Sequence, residues 1–228
     1  MQASIQPMFT WSQERIFAGG ARNIVLLIEW KGGLQSEENR KRRHKVVARE
    51  IELRVWLEGH VTVTGCYGCI AEAGEGRSIL LKLGKILSGA RRYVALEFAM
   101  AAKPAGIHEA LWLQWQYKQP PVERIRELPL KKLGLEYTHH TDVFTAGCCF
   151  YVEKHLELLK MQKMLEEAAE QRAESQIGTV SENLRRQADK LLLLAARSGD
   201  MQLVKEAESV YKQLDVAGQM WWRTTATR

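Results

Sequence analysis

Apolar and polar residues alternate with a period of two along most of the first 140 positions, the mark of strands with one buried face. The segment 46–57 shows it most cleanly: Ile51, Leu53 and Val55 fall on one face, Glu50, Glu52 and Arg54 on the other. Residues 107–118 repeat it, with Ile107, Glu109, Leu111, Leu113, Trp115 and Tyr117 in step, until Pro120-Pro121 breaks the run. Residues 22–31 are apolar on both faces at their centre and rich in β-branched and aromatic side chains. Shorter strand patterns occupy 61–64, 78–83, 92–101 and, after the prolines, 122–130. About seven strands with Gly- and Pro-marked turns predict an antiparallel sandwich. Ahead of them, residues 8–18 read as a short helix stopped by Gly19-Gly20.

From about residue 150 the spacing becomes helical. Val152, Leu156, Leu159, Met164, Leu165 and Ala168 form one apolar stripe. Leu184, Ala188, Leu191, Leu192 and Ala195 form a second, and Leu203, Val204, Ala207, Val210, Tyr211 and Leu214 a third. Thr179-Val180-Ser181-Glu182 fits a capping box opening the second helix. Ser198-Gly199-Asp200 reads as a stop followed by a new N-cap. The expected fold class is therefore α+β: an antiparallel β-sandwich of about seven strands with a C-terminal three-helix tail. Its expected parts are a leading helix over 1–20, the sandwich over 21–140 and the helices over 141–217. Residues 218–228 read as a disordered tail or a cloning remnant, Gly218 ending the last helix. The helices are expected to pack on the sandwich or on another copy of the chain.

Composition narrows the class without naming a function. Hydrophobic residues make 46% of the chain and charged residues 26%, which argues against disordered or fibrous proteins. The net charge of +6 is unevenly placed: residues 1–140 carry +7, and Arg40-Lys41-Arg42-Arg43-His44-Lys45 alone supplies +5 of it. No Asp precedes Asp142, which weighs against an Asp-based metal or phosphoryl-transfer site in the sandwich. The N-terminus lacks the basic-then-apolar pattern of a secretory signal. The longest apolar runs, such as Ile24–Ile28 and Leu191–Ala196, fall far short of the roughly 20 residues of a membrane span. A cytoplasmic protein with reduced thiols is the expectation.

Candidate chemistry is sparse. Cys66-x-x-Cys69 and Cys148-Cys149 supply four thiols, but an adjacent pair chelates one ion poorly, so unligated thiols are favoured over zinc. A thioredoxin-type role needs the C-x-x-C at a helix N-terminus, and here it follows a strand-like VTVTG. His139-His140 reads as an exposed linker, and Asp142 as a helix N-cap or first-turn acid. The glycines around Glu75 lack the Lys and spacing of a phosphate loop. No catalytic residue, cofactor or metal ligand is expected. Arg40, Lys41, Arg42, Arg43 and Lys45 can contact an acidic partner or nucleic acid by charge, against the plainer reading of a solvated loop. Trp112 and Trp115 are three apart, so one faces the core and the other the opposite sheet surface. Trp112, Trp115 and Tyr117 are the candidate interface anchors.

Several segments resemble the region downstream of the von Willebrand factor type A (VWA) domain in bacterial VWA-domain proteins. They are Leu83-Gly84-Lys85-Ile86-Leu87-Ser88-Gly89-Ala90-Arg91-Arg92, with Lys85 where those proteins often have Asp, then Val152–Leu159, and Arg185–Asp200. Ile5–Asn23 is similar to the end of the VWA domain itself, so the resemblance spans about residues 5–217 and makes 1–20 the end of an upstream VWA-type domain. The D-x-S-x-S that binds metal in a VWA domain does not occur in this sequence. The resemblance implies the C-terminal portion of a larger protein or, as the less favoured alternative, a free-standing relative, in either case lacking the metal-binding domain. It implies a non-catalytic protein-protein interaction or scaffolding module with a protein partner, or self-association through the helical stripes. The alternative is a nucleic-acid-binding accessory protein acting through Arg40–Lys45.

Overall fold

The computed structural model describes residues 5–33, 45–121, 124–145, 147–171 and 177–225. The chain divides into two compact units, Met1–Val152 and Glu153–Arg228. The described part of the first unit is built from strands β1 (Ile5–Trp11), β2 (Arg15–Phe17), β3 (Arg22–Gly32), β4 (Val46–Leu57), β5 (Val61–Tyr67) and β6 (Ile70–Ala73). They are followed by β7 (Ser78–Leu87), β8 (Arg91–Met100), β9 (Gly106–Gln119), β10 (Arg124–Glu127) and β11 (Lys131–Thr138). A four-stranded sheet runs β1-β3-β8-β5, and a seven-stranded sheet runs β2-β11-β9-β4-β7-β6 with β10 added to β9.

The core follows from the alternation. Leu26, Ile28 and Trp30 of β3 and Leu96 and Phe98 of β8 line the inner face of the smaller sheet. Ile51, Leu53 and Val55 of β4 and Leu111, Leu113 and Trp115 of β9 line that of the larger. Trp30 and Trp115 meet across the two layers with ring centroids 5.7 Å apart and planes at 55°. On β3, Leu27 and Glu29 are buried as well, which explains why the sequence there is apolar on both faces. The buried Glu29 carboxylate is held by the Tyr151 hydroxyl at 2.7 Å and by Arg91 at 3.2 Å. Burial, then hydrogen bonds to Tyr93 and Glu29, push the Tyr151 hydroxyl far above its ordinary range.

Four expectations about the sandwich are corrected. Residues 8–18 form no helix; 8–11 belong to β1 and 15–17 to β2. An isolated eleven-residue helix is marginal in water, whereas β1 gains a full antiparallel ladder on β3, from Ile5 opposite Gly32 to Trp11 opposite Leu26. As an edge strand it also tolerates Pro7. The described strands number eleven and not seven, because short edge strands such as β2, β6 and β10 carry little alternation. The sheet is also not wholly antiparallel: β2 pairs in parallel with β11, Ile16 opposite Tyr137. Within the expected strand over 122–130, residues 124–127 form β10 and residues 128–130 no strand, and β11 takes a place between β2 and β9.

The helices are α1 (Phe150–Gln171), α2 (Ile177–Ser198) and α3 (Met201–Thr225). Leu184, Ala188 and Leu191 of α2 pack with Leu203, Ala207 and Val210 of α3, joined by Met161 of α1. The α2–α3 turn is built as its residues dictate. Gly199 takes the left-handed φ of 71° that only glycine adopts without strain, and its N–H donates to the Ala195 carbonyl at 2.7 Å. Asp200 Oδ1 then accepts the Gln202 N–H at 2.9 Å as an N-cap. Lys154 of α1 donates to Asp200 Oδ2 at 2.6 Å and to Gln202 Oε1 at 2.9 Å. That lysine and the Gln202 N–H hold the Asp200 carboxyl below its usual 3.8. Two helix ends differ from expectation: α2 starts ahead of Thr179, and α3 continues through Gly218 to Thr225. No helix among the described residues is long and apolar enough to cross a membrane.

Candidate functional site

The two central neighbours of the larger sheet carry the site. The parity that turns Leu53 and Val55 of β4 inward turns Arg54 and Trp56 outward, and on β9 it turns Trp112 and Gln114 outward. The β4–β9 register places Trp56 directly opposite Trp112 and Arg54 opposite Gln114. On the outer strands of the same row, Ser78 of β7 pairs with Trp56 and Lys132 of β11 with Trp112. A half-buried indole pair thus sits at the centre of the outer face.

Charges are arranged around the rings. Lys132 Nζ lies 4.3 Å from the Trp112 ring centroid, and the Arg54 guanidinium carbon 5.8 Å from that of Trp56. The Trp112 Nε1–H donates to Glu109 Oε2 at 3.0 Å, and Lys132 pairs with Glu109 at 3.1 Å. Gln114 Nε2 donates to Glu127 Oε2 at 3.3 Å, which ties β10 to the same face. Between these groups lies a groove of about 480 Å³ lined by Trp56, Leu57, Glu58, Trp112, Gln114 and Leu130. Its walls are mostly apolar and its rim carries carboxylates, so it suits an apolar or aromatic side chain framed by polar contacts.

The expected anchors separate. Trp112 faces the groove, whereas Trp115 and Tyr117 are 1% and 3% exposed in the sandwich core. They are corrected here as surface anchors: on one strand, positions 115 and 117 share the parity of Leu111 and Leu113. Trp56, Leu57 and Leu130, the other walls of the groove, were not singled out in the sequence; the outward parity of Trp56 on β4 was its one legible sign. Arg40, Lys41, Arg42 and Arg43 lie outside the described residues, and Lys45 is exposed just before β4. The stripe Leu203, Ala207, Val210 is buried against α2, so it is not an open surface for self-association.

The cysteines and histidines are also placed. Cys66 and Cys69 sit at the β5–β6 turn with Sγ atoms 3.4 Å apart. Cys148 is exposed, and the Cys149 N–H donates to the Ser12 carbonyl at 2.9 Å. His139 and His140 are both exposed beyond β11. Asp142, in the first turn of a short 3-10 helix (Thr141–Phe144), pairs with Arg15 at 3.2 Å. Among the described residues, no three His, Cys, Asp or Glu side chains converge as metal ligands.

One cluster was invisible in the sequence because three elements supply it. His60, His108 and Tyr137 meet edge to face, with centroids 5.3 to 6.5 Å apart. His108 Nε2 donates to the Pro104 carbonyl at 2.8 Å, and the Tyr137 hydroxyl donates to that of Ala101 at 3.3 Å. Burial, then the charges of Lys103 and His108, pull the His60 imidazole below its ordinary 6.5. In this aromatic cluster His108 and Tyr137 turn their polar atoms to the backbone, whereas the buried Nε2 of His60 has no hydrogen-bond partner among the described residues.

No protein-family model and no curated protein matches the chain. The fold has a counterpart among VWA proteins. The ArnB paralog VWA2 from Sulfolobus acidocaldarius is similar at a TM-score of 0.52 and 8% identity, over 90% of this chain and 93% of that one. A von Willebrand factor type A protein from Catenulispora acidiphila matches at a TM-score of 0.47 and 18% identity, over 72% of this chain and 39% of that one. The major pilin subunit BcpA of Bacillus cereus matches at 0.36 and 13%, over 58% of this chain and 41% of its own. The chain therefore spans about two fifths of the length of these last two structures. At such identities the likeness concerns the fold alone.

Proposed function

We propose that this chain is a non-catalytic interaction module that docks a protein partner on the outer face of its larger sheet. The observation that carries the reading is the Trp56–Trp112 pair: two indoles opposed on neighbouring strands, beside an apolar groove. Tryptophan is the residue type most enriched where binding energy concentrates, and a groove ringed by polar groups excludes water around it. Glu58 at the rim favours a partner whose apolar anchor is flanked by a basic residue, while Glu109 is already paired with Lys132. Following the resemblance to VWA-domain proteins, the module acts as the C-terminal part of such a protein and works in the cytoplasm.

The test is a photo-crosslinking amino acid placed at Gln114, inside the groove, with a second chain carrying it at Lys205 on α3 as control. The expected result in the native host is one dominant protein adduct from position 114 that disappears when Trp112→Ala is added. Adducts identical from both positions, or unchanged by Trp112→Ala, overturn the reading.

A further inference from the structure

β5 and β6 are each the edge strand of a different sheet, β5 of the four-stranded and β6 of the seven-stranded one. Only Gly68 and Cys69 separate them, so the chain crosses from one layer to the other in a single tight turn. Gly68 makes the turn possible with a φ of 88°. The turn folds the side chains of Cys66 and Cys69 together, Sγ to Sγ at 3.4 Å, half-buried and packed against the sandwich core. We propose that Cys66 and Cys69 form a reversible intramolecular disulfide that joins the edges of the two sheets, with a low-molecular-weight disulfide as the oxidant. This inference goes beyond the partner-docking reading and is independent of it.

The sulfurs must approach by ~1.4 Å to reach bonding distance. The hydrogen bond to Cys66, then burial, push the Cys69 thiol well above its ordinary range. In the proposed exchange Cys66 is the attacking sulfur and Cys69 the resolving one. The Cys66 thiolate attacks one sulfur of the small disulfide, breaking that bond and expelling a thiolate. Cys69 then gives up its proton to the expelled thiolate and attacks the Cys66 sulfur, breaking the mixed disulfide and expelling a second thiolate, which takes a proton from water. Two protein thiols lose two electrons, and the small disulfide gains them as two thiols. In a reducing compartment the same exchange runs backwards. The bond would pin the crossover between layers at the side of the sandwich where β5 and β6 are the edge strands. Cys148 is exposed, its Sγ donating to the Cys149 carbonyl at 3.8 Å.

The experiment equilibrates the full chain carrying Cys148→Ser and Cys149→Ser with graded mixtures of oxidised and reduced glutathione. Free thiols are trapped by alkylation and the intact mass is read. The folded chain is expected to lose both thiols together, at a glutathione ratio about tenfold more reducing than the same chain in concentrated urea requires. Fragmentation should place the link between residues 66 and 69, and excess reduced glutathione should restore both thiols. Cys66→Ser or Cys69→Ser alone should stop at one glutathione adduct. Should the serine double variant fail to fold, peptide mapping of the unmodified chain reads the same link. Oxidation no easier in the folded than in the unfolded chain, or links between chains in place of the internal one, overturns the proposal.

Discussion

Replacing Trp115 by alanine and, separately, Trp112 by alanine tests the assignment of faces that the site rests on. The two residues are three apart on β9, yet Trp115 is 1% exposed and stacked on Trp30 at 5.7 Å, while Trp112 lies on the outer face. Truncating a buried tryptophan loses its transfer energy and leaves a cavity, together about 3–5 kcal/mol. Trp112→Ala loses less. Its cation contact with Lys132 is worth about 0.5–1 kcal/mol, and its cross-strand pairing with Trp56 a further ~0.2–1 kcal/mol. The readout is urea unfolding of the full chain followed by far-UV circular dichroism, taking the transition of the sandwich. With a slope of about 2 kcal/mol per molar urea, Trp115→Ala should lower the midpoint by roughly 2 M and Trp112→Ala by less than about 1 M. The adduct from position 114 should vanish with Trp112→Ala while the fold persists. If Trp112→Ala proves as destabilising as Trp115→Ala, or Trp115→Ala leaves the midpoint in place, the parity of β9 is wrong and the groove with it.

Two pH experiments address the other titrating groups. The folded His60 imidazole titrates below 6.5, so on acidification the unfolded chain takes up its proton first. The sandwich should lose stability as pH falls below 6.5 and level off once the folded pKa is passed; His60→Gln should flatten that slope between pH ~5 and ~7 in urea midpoints, and an unchanged slope would count against the burial of this ring. Asp200, held below 3.8, supplies stability that is present above that value and lost as pH falls through its folded pKa. Asp200→Asn should therefore lower the melting temperature of the helical unit at neutral pH and shrink its acid-induced loss, as followed by helical circular dichroism; an equal acid loss in the variant would place the effect on another carboxylate.

How much of this was legible in the sequence varied by element. The bounds of β4 and the inward Leu111, Leu113, Trp115 and Tyr117 of β9 could be read directly, since long alternating strands declare their buried face. Ile107 and Glu109, read in step with them, are exposed beyond the register shift opposite Leu133 and Gly134. The turn at Gly199 and the cap at Asp200 were equally readable, because a left-handed stop and a capping carboxylate are local requirements. The groove was only half visible. Trp112 had the right parity, but Trp115 and Tyr117 looked equally suited to an interface until burial separated them. Trp56 meets Trp112 only through the β4–β9 register.

What the sequence determined by itself was the chemistry of local choices: which stretches alternate, where the period turns helical, and where a glycine must stop a helix. Each depends on the residue and its near neighbours along the chain. Tertiary structure decided which strands lie beside which. It made residues 5–11 and 15–17 strands, since the ladders on β3 and β11 satisfy backbone groups that a short helix would leave to water. It also set Trp56 against Trp112 and joined His60, His108 and Tyr137. At the β5–β6 turn it brought two cysteines to 3.4 Å across the boundary between sheets. The cysteine pair is local to its turn, but the aromatic pairings depend on register between distant segments, and a shift of one residue would turn every side chain of a strand to its other face.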